Sequence, residues 1–138
     1  MLTVVLDTNV LVSSLLSPKG PPAKILDLIL GGHILVAYDD CILGEYEEVL
    51  SRPELHIHPS KSLAVIDHLE ISGRYIEAET LSTEGYTDLD DVMFAEVFIT
   101  SNADALVTGN LRHYKPLLKQ DKLVLSPAQF LEKFFPER

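Results

Sequence analysis

Val4-Val5-Leu6-Asp7-Thr8-Asn9 is an apolar, β-branched run that ends in a carboxylate, a hydroxyl and an amide. Val4 to Leu6 has the composition of a strand buried on both faces of a parallel sheet, where alternation with polar residues is absent. A second apolar segment, Val10 to Leu16, follows at once and reads as a helix. A strand that feeds a helix through Asp7 places that carboxylate on the carboxyl edge of the sheet, where open α/β sheets bind ligands. Asp7 or Thr8 also suits the plain structural task of capping the next helix, because a short oxygen side chain accepts from its first free N–H groups. Further acids on the same edge separate the two readings.

Outward from that stretch, Ser17 to Pro22 is a Pro- and Gly-rich loop, and Pro22 suits the first turn of a helix. Ile25, Leu26, Ile29 and Leu30 share one face of that helix, and Gly31-Gly32 stops it. Ile34 to Tyr38 reads as a second strand. A helix from Cys41 to Arg52 follows, with Ile42, Tyr46, Val49 and Leu50 inward and Pro53 as terminator. Ser60 is placed to cap a further helix carrying Leu63, Ile66 and Leu69, which fades near Gly73. Tyr75 to Ala78 is weakly strand-like, and Ser82 to Thr87 is polar loop. Asp88 opens a helix through Phe94 and Phe98 that stops near Asn102, a residue that tolerates the left-handed cap. Ala105 to Thr108 and Leu123 to Leu125 read as strands, and Ser126-Pro127 starts a last helix with Phe130, Leu131 and Phe134 facing the core. Strands alternating with helices at this spacing predict a three-layer α/β/α fold with a mainly parallel sheet.

The 138 residues, 46% of them hydrophobic, are expected to form a single domain over residues 1–138. No apolar run reaches the ~18 residues of a membrane span, and no basic segment precedes Leu2 to Leu6. Cys41 is the only cysteine, which rules out an internal disulfide and fits a reducing, cytoplasmic compartment. A formal charge of −10 argues against broad electrostatic capture of nucleic acid and favours a basic partner. It says less about a local site, because divalent cations offset a focused cluster of acids.

Several chemistries are excluded by what is missing. No G-x-G-x-x-G follows a strand, Pro18-Lys19-Gly20 lacks the Gly-Lys-Ser/Thr of a phosphate loop, and no G-x-S-x-G elbow is present. A receiver-type phosphoacceptor would need an acidic pair beside its first strand and a Lys after a late one. His56 and His58 lie two apart beside prolines, a poor spacing for ligands on a helix. Acids remain. Glu45 follows the second strand in register with Val49. Asp88, Asp90 and Asp91 open the helix before the third strand, where they also complement the helix dipole. Asn110 closes that strand on the same edge as Asp7. Singly each has a structural explanation, but together Asp7, Glu45, Asp91 and Asn110 follow successive elements that open on one edge. Clustered carboxylates repel unless they are protonated or hold cations. Oxygen ligands without a Cys or His core favour Mg²⁺ or Mn²⁺, and such a site suits hydrolysis of a phosphodiester.

These motifs resemble the PIN-domain nucleases, most closely the toxin-like (VapC-like) branch of toxin–antitoxin systems. Leu6-Asp7-Thr8-Asn9 matches the family's opening motif and Glu45 to Pro53 its second acidic segment. Asp88 to Glu96 matches the third, followed by Ala103 to Asn110, and Leu125 to Leu131 fits the last strand and helix. The resemblance implies a Mg²⁺- or Mn²⁺-dependent endoribonuclease that leaves a 5′-phosphate and a 3′-hydroxyl, has an antitoxin protein as partner, and forms a homodimer. It places Asp7, Glu45 and Asp91 at the three acidic metal positions, with Asp91 chosen over Asp88 because the family's acid lies three residues before an aromatic, here Phe94. Asp88 becomes a cap or a group behind the ligands, and Thr8, Asn9 and Thr108 orient water or ligands. The fourth position departs from the pattern: Asn110 and His113 stand where members carry Asp, and an amide oxygen holds a hard cation less tightly. That departure keeps open a second function class, a catalytically weak or inactive module that binds protein or RNA. Asp104 reads as structural. Arg112, Lys115, Lys119 and Lys122 follow Asn110 in an otherwise acidic chain. The plain reading is solvated charge on a short helix. The functional one is that Arg112 and Lys115, nearest the metal edge, hold substrate phosphates.

Overall fold

The computed structural model describes residues 1–136. Its five strands are β1 (Leu2–Leu6), β2 (Ile34–Tyr38), β3 (Arg74–Tyr75), β4 (Ala105–Val107) and β5 (Val124–Leu125). They form one sheet in the order β3-β2-β1-β4-β5, and every pairing is parallel. Seven helices flank it: α1 (Thr8–Leu16), α2 (Pro21–Leu30), α3 (Asp40–Leu50), α4 (Pro59–Ser72), α5 (Val92–Ser101), α6 (Lys115–Leu118) and α7 (Pro127–Phe134). The three-layer α/β/α arrangement is the one the strand–helix alternation predicts.

The unbroken apolar run in β1 has a direct cause. Val4, Val5 and Leu6 are all buried because helices cover both faces of the sheet, so neither face needs polar residues. α2 packs on α1 and α7, while α3 packs on both α4 and α5. The chain runs β1, β2, β3 outward on one side, then returns through α5 to place β4 on the other side of β1. That reversal opens a crevice beyond the carboxyl ends of β1 and β4, the place where such sheets accept ligands. Leu6 is level with Val107 in the register, so Asp7 and Thr108 leave the sheet side by side.

Local details depart from the sequence reading in three places. The segment from Asp88 does not start as an α-helix. Leu89–Asp91 forms a 3-10 turn, Asp88 caps it by accepting from Asp90 N at 3.0 Å, and α5 begins at Val92. α4 starts two residues early at Pro59, capped by the His58 ring accepting from Ser60 N, so Ser60 is inside the helix rather than its cap. The buried stripe of α4 is Val65, Ile66 and Leu69, and Leu63 turns outward at 61% exposure. β3 is only two residues long, shorter than Tyr75 to Ala78 suggested. Asn102 does end α5 in the left-handed conformation, at φ 54°. Gly73 is required by close approach: a Cβ there would run into Leu69 O and lie 3.0 Å from Val36 O.

Candidate active site

Asp7 stands at the N-cap position of α1, yet its side chain makes no cap hydrogen bond. Capping is therefore not its task. Its Oδ2 instead accepts from Thr108 Oγ1 at 2.8 Å and from Tyr114 Oη at 3.0 Å. The same Tyr114 hydroxyl lies 3.5 Å from Asp91 Oδ1, so one phenol bridges the two acids. Tyr114 is fully buried, and Asp7 and Asp91 are 6% and 7% exposed. Tyr46, also fully buried, donates its hydroxyl to Leu6 O and so fixes the backbone just before Asp7. These tyrosines reach the site because α3 and the turn after β4 pack their aromatic bodies into the core and leave only the polar tips facing the edge.

The outer half of the site is held more lightly. Glu45, half-buried on α3, accepts from Thr8 Oγ1 at 2.7 Å through Oε2. Asn9 Oδ1 accepts from Gly109 N at 3.0 Å and ties the loop after β4 to α1. Thr108 Oγ1 accepts from Asn110 N at 3.0 Å while donating to Asp7. Asp88 and Asn110 are exposed, and both line the cleft. His113 Nδ1 lies 3.0 Å from Asp91 Oδ2 as an ion-pair contact. Apart from that contact, Asp91 Oδ2 is buried without a hydrogen-bond partner among the described residues.

The electrostatics follow from burial. Loss of water raises the carboxyl of Asp7, against the pull of its bonds to Thr108 and Tyr114. Asp91 is pushed up to about 6, first by burial and then by the charge of Asp7, with His113 pulling the other way. Tyr114 is raised far above the usual phenol range by burial and the neighbouring acids, so it remains a protonated donor.

Asp7, Thr8, Asn9, Glu45, Asp88, Asp91, Asn110 and His113 thus border one cleft of about 510 Å³ at the carboxyl edge. Thr108 lies just beneath it, bonded to Asp7. Arg112 and Lys115 are exposed on the turn after β4 and do not line it. Asp104 is structural: its Oδ2 accepts from Thr3 N at 2.8 Å, stitching the entry of β4 to β1.

Two lining or supporting residues escaped the sequence reading. Tyr114 sits in a segment that reads as ordinary core, and nothing in its spacing announces a bond to Asp7, 107 positions away. Arg52, two residues past the end of α3, lines the cleft; the sequence shows it as the i,i+4 partner of Glu48, a pair that forms, and gives no sign of the cleft.

The donor chemistry fits a hard divalent cation. It is an all-oxygen set, two of its carboxyls are raised by burial, and one buried carboxylate oxygen has no polar partner beyond the His113 ring. The arrangement is not yet closed, since among the described residues no three His, Cys, Asp or Glu side chains converge as a metal-binding group.

Comparison with known proteins places this geometry in a family. An uncharacterized protein of Methanocaldococcus jannaschii is 31% identical over 142 residues, covering 95% of this chain and 90% of the relative. A chain of VapBC2 from Rickettsia felis, solved bound to a DNA fragment from their promoter, shares the fold with a TM-score of 0.59. It is 17% identical, and the match covers 91% of this chain and 98% of that one. The family model described as PIN domain matches residues 3–112, a span that runs from β1 through Asp7, Glu45, Asp91 and Asn110. This chain belongs to the PIN-domain family, whose members are generally nucleases.

Proposed function

We propose that the protein is a Mg²⁺- or Mn²⁺-dependent endoribonuclease, the toxin of a toxin–antitoxin pair, hydrolysing phosphodiester bonds to leave a 5′-phosphate and a 3′-hydroxyl. The observation that carries the reading is the pair of buried acids, Asp7 and Asp91, bridged by one tyrosine hydroxyl at the buried end of the switch-point cleft. Evolution does not need two raised carboxyls side by side for stability, because each costs free energy when ionised. A cation removes that cost.

Asp7, Glu45 and Asp91 would hold the metal, with Asn110 and His113 at its weaker fourth side. The bound ion supplies activation of water and charge for the leaving oxygen. The chain's own residues do the rest. Tyr114 and Thr108 fix the Asp7 carboxylate by two donated bonds, so its orientation does not depend on substrate. Thr8 holds Glu45 at the rim. Asn9 and Gly109 lock the loop that carries Asn110 against α1. Arg112 and Lys115 stand outside the cleft lining, so they meet only phosphates beyond it. A basic antitoxin suits the charge of −10, and the likeness to VapBC2 supports an antitoxin partner. A homodimer belongs to the same reading.

A second reading is a weakly active or inactive module for protein or RNA binding. The open arrangement of the acids, together with Asn110 and His113 at the fourth position, favours it. One experiment divides the two: a mixed RNA pool is incubated with Mg²⁺ or Mn²⁺ and with EDTA, beside an Asp7→Asn protein. Cleavage that needs the metal and Asp7 supports the nuclease. Binding without cleavage supports the module. Among the described residues no helix is long and apolar enough to cross a membrane.

A further inference from the structure

We infer that Arg52 grips a substrate phosphate next to the one being cleaved, and that Glu48 holds the guanidinium in place until substrate arrives. This rests on the nuclease reading and assigns its substrate a second anchor. Among the described residues bordering the cleft, five are acids and Arg52 is the only Lys or Arg. A phosphodiester approaching Asp7, Glu45, Asp88, Asp90 and Asp91 meets a repelling surface except at that point.

Geometry supports the distance. Glu45 and Val49 fall at i and i+4 on α3, and Arg52, in extended backbone two residues past its end, borders the same cleft. At about 1.5 Å of rise per residue the last residue of α3, Leu50, stands about 7.5 Å beyond Glu45 along the axis, and Arg52 follows it. It therefore meets a phosphate further along the strand rather than the reacting one. Its backbone is fixed: Arg52 N donates to Val49 O and Arg52 O accepts from Leu55 N, both at 3.1 Å.

The side chain is held but available. Arg52 Nε lies 3.2 Å from Glu48 Oε1 and Nη2 lies 2.8 Å from Glu48 Oε2, a two-pronged pair on a carboxylate. The same fork matches two phosphate oxygens. Both side chains are half or more exposed, and exposed pairs four apart on a helix are weak in water, so a phosphate can displace Glu48. The plain alternative is a surface ion pair that complements the C-terminal end of α3. That role would change melting temperature and leave RNA binding alone.

The test uses the full chain carrying Asp7→Asn, titrated with a labelled single-stranded RNA oligonucleotide across a salt series. Arg52→Ala is expected to weaken binding about tenfold at low salt and to reduce the salt slope by about 0.7. Arg52→Lys falls between, since it keeps the charge and loses the fork. Glu48→Gln is expected to tighten binding about threefold, more than Glu47→Gln, which removes the same charge from a side chain that does not hold Arg52. On the Arg52→Ala background Glu48→Gln adds nothing. With Asp7 restored, Arg52→Ala raises KM and leaves kcat. An unchanged affinity and slope for Arg52→Ala, in a protein that binds RNA and cleaves with metal, overturns this inference alone. Equal effects of Glu48→Gln and Glu47→Gln overturn the holding role. A protein that neither binds nor cleaves RNA overturns the nuclease reading and this inference with it.

Discussion

Asp7 and Asp91 occupy the buried end of the cleft, while Glu45, Asp88 and Asn110 occupy its open rim, and the two ends are held in different ways. At the buried end both carboxylates lose water and share one tyrosine donor, and their charges oppose each other. At the rim Glu45 has a single bond to Thr8, Asp88 caps a short turn, and Asn110 is exposed. Burial makes a group exact in position and costly to ionise; exposure leaves it adjustable at little cost. The same cleft therefore combines a fixed pair of acids with movable polar groups. A cation can draw the rim groups in without disturbing the core.

The largest effect should come from breaking the buried end. Asp7→Asn is expected to lower metal-dependent RNA cleavage about a thousandfold. In EDTA its melting temperature should equal or exceed that of the native protein, because repulsion with Asp91 is gone. Wild-type turnover at equal metal would remove Asp7 from the chemistry.

Tyr114→Phe takes away only the hydroxyl. Asp7 keeps its bond from Thr108 but loses the donor that ties it to Asp91. Mn²⁺ affinity, read by electron paramagnetic resonance or calorimetry, is expected to fall about tenfold. Unchanged affinity would mean that Tyr114 is only packing.

The pH dependence sharpens the contrast further. Asp91 titrates near 3.8 when unfolded and near 6 when folded, so the folded state holds the proton more tightly. The stability it contributes is complete below pH 3.8 and is lost as pH rises through about 6. The Asp7 shift has the same sign. In EDTA the native protein should therefore lose melting temperature between about pH 4 and 7 relative to Asp91→Asn. Added Mg²⁺ should restore the difference at the upper end. Parallel curves for the two proteins in EDTA would show that Asp91 is not held protonated by the fold.

The smallest effect is expected at the rim. Asn110→Asp places a carboxylate where this chain has an amide, and Mg²⁺ affinity should rise about threefold with little change in melting temperature, since the position is exposed. A large destabilisation would show that Asn110 belongs to the tightly held end after all.

Sequence alone determined the architecture and the inventory of acids. The apolar run of β1, the Gly and Pro punctuation, and the strand–helix alternation are local signals. Asp7, Glu45, Asp91 and Asn110 each follow an element that such signals place on one edge. Tertiary structure decided what those residues touch. Whether Asp7 caps a helix or faces a cleft depends on Thr108 and Tyr114, which arrive from 101 and 107 positions away. The choice between Asp88 and Asp91 depends on a 3-10 turn that leaves one exposed as a cap and buries the other beneath Tyr114. Leu63 faces solvent while Val65 joins Ile66 and Leu69 in the buried stripe, because the elements packed on α4 choose which of its apolar positions are covered. Arg52 borders the same cleft as Glu45 although it lies past the end of α3, in extended backbone that helical period does not describe. Periodicity and composition report what a segment prefers, whereas partners across a parallel sheet are set by the crossover of β4 to the far side of β1, which no local pattern encodes.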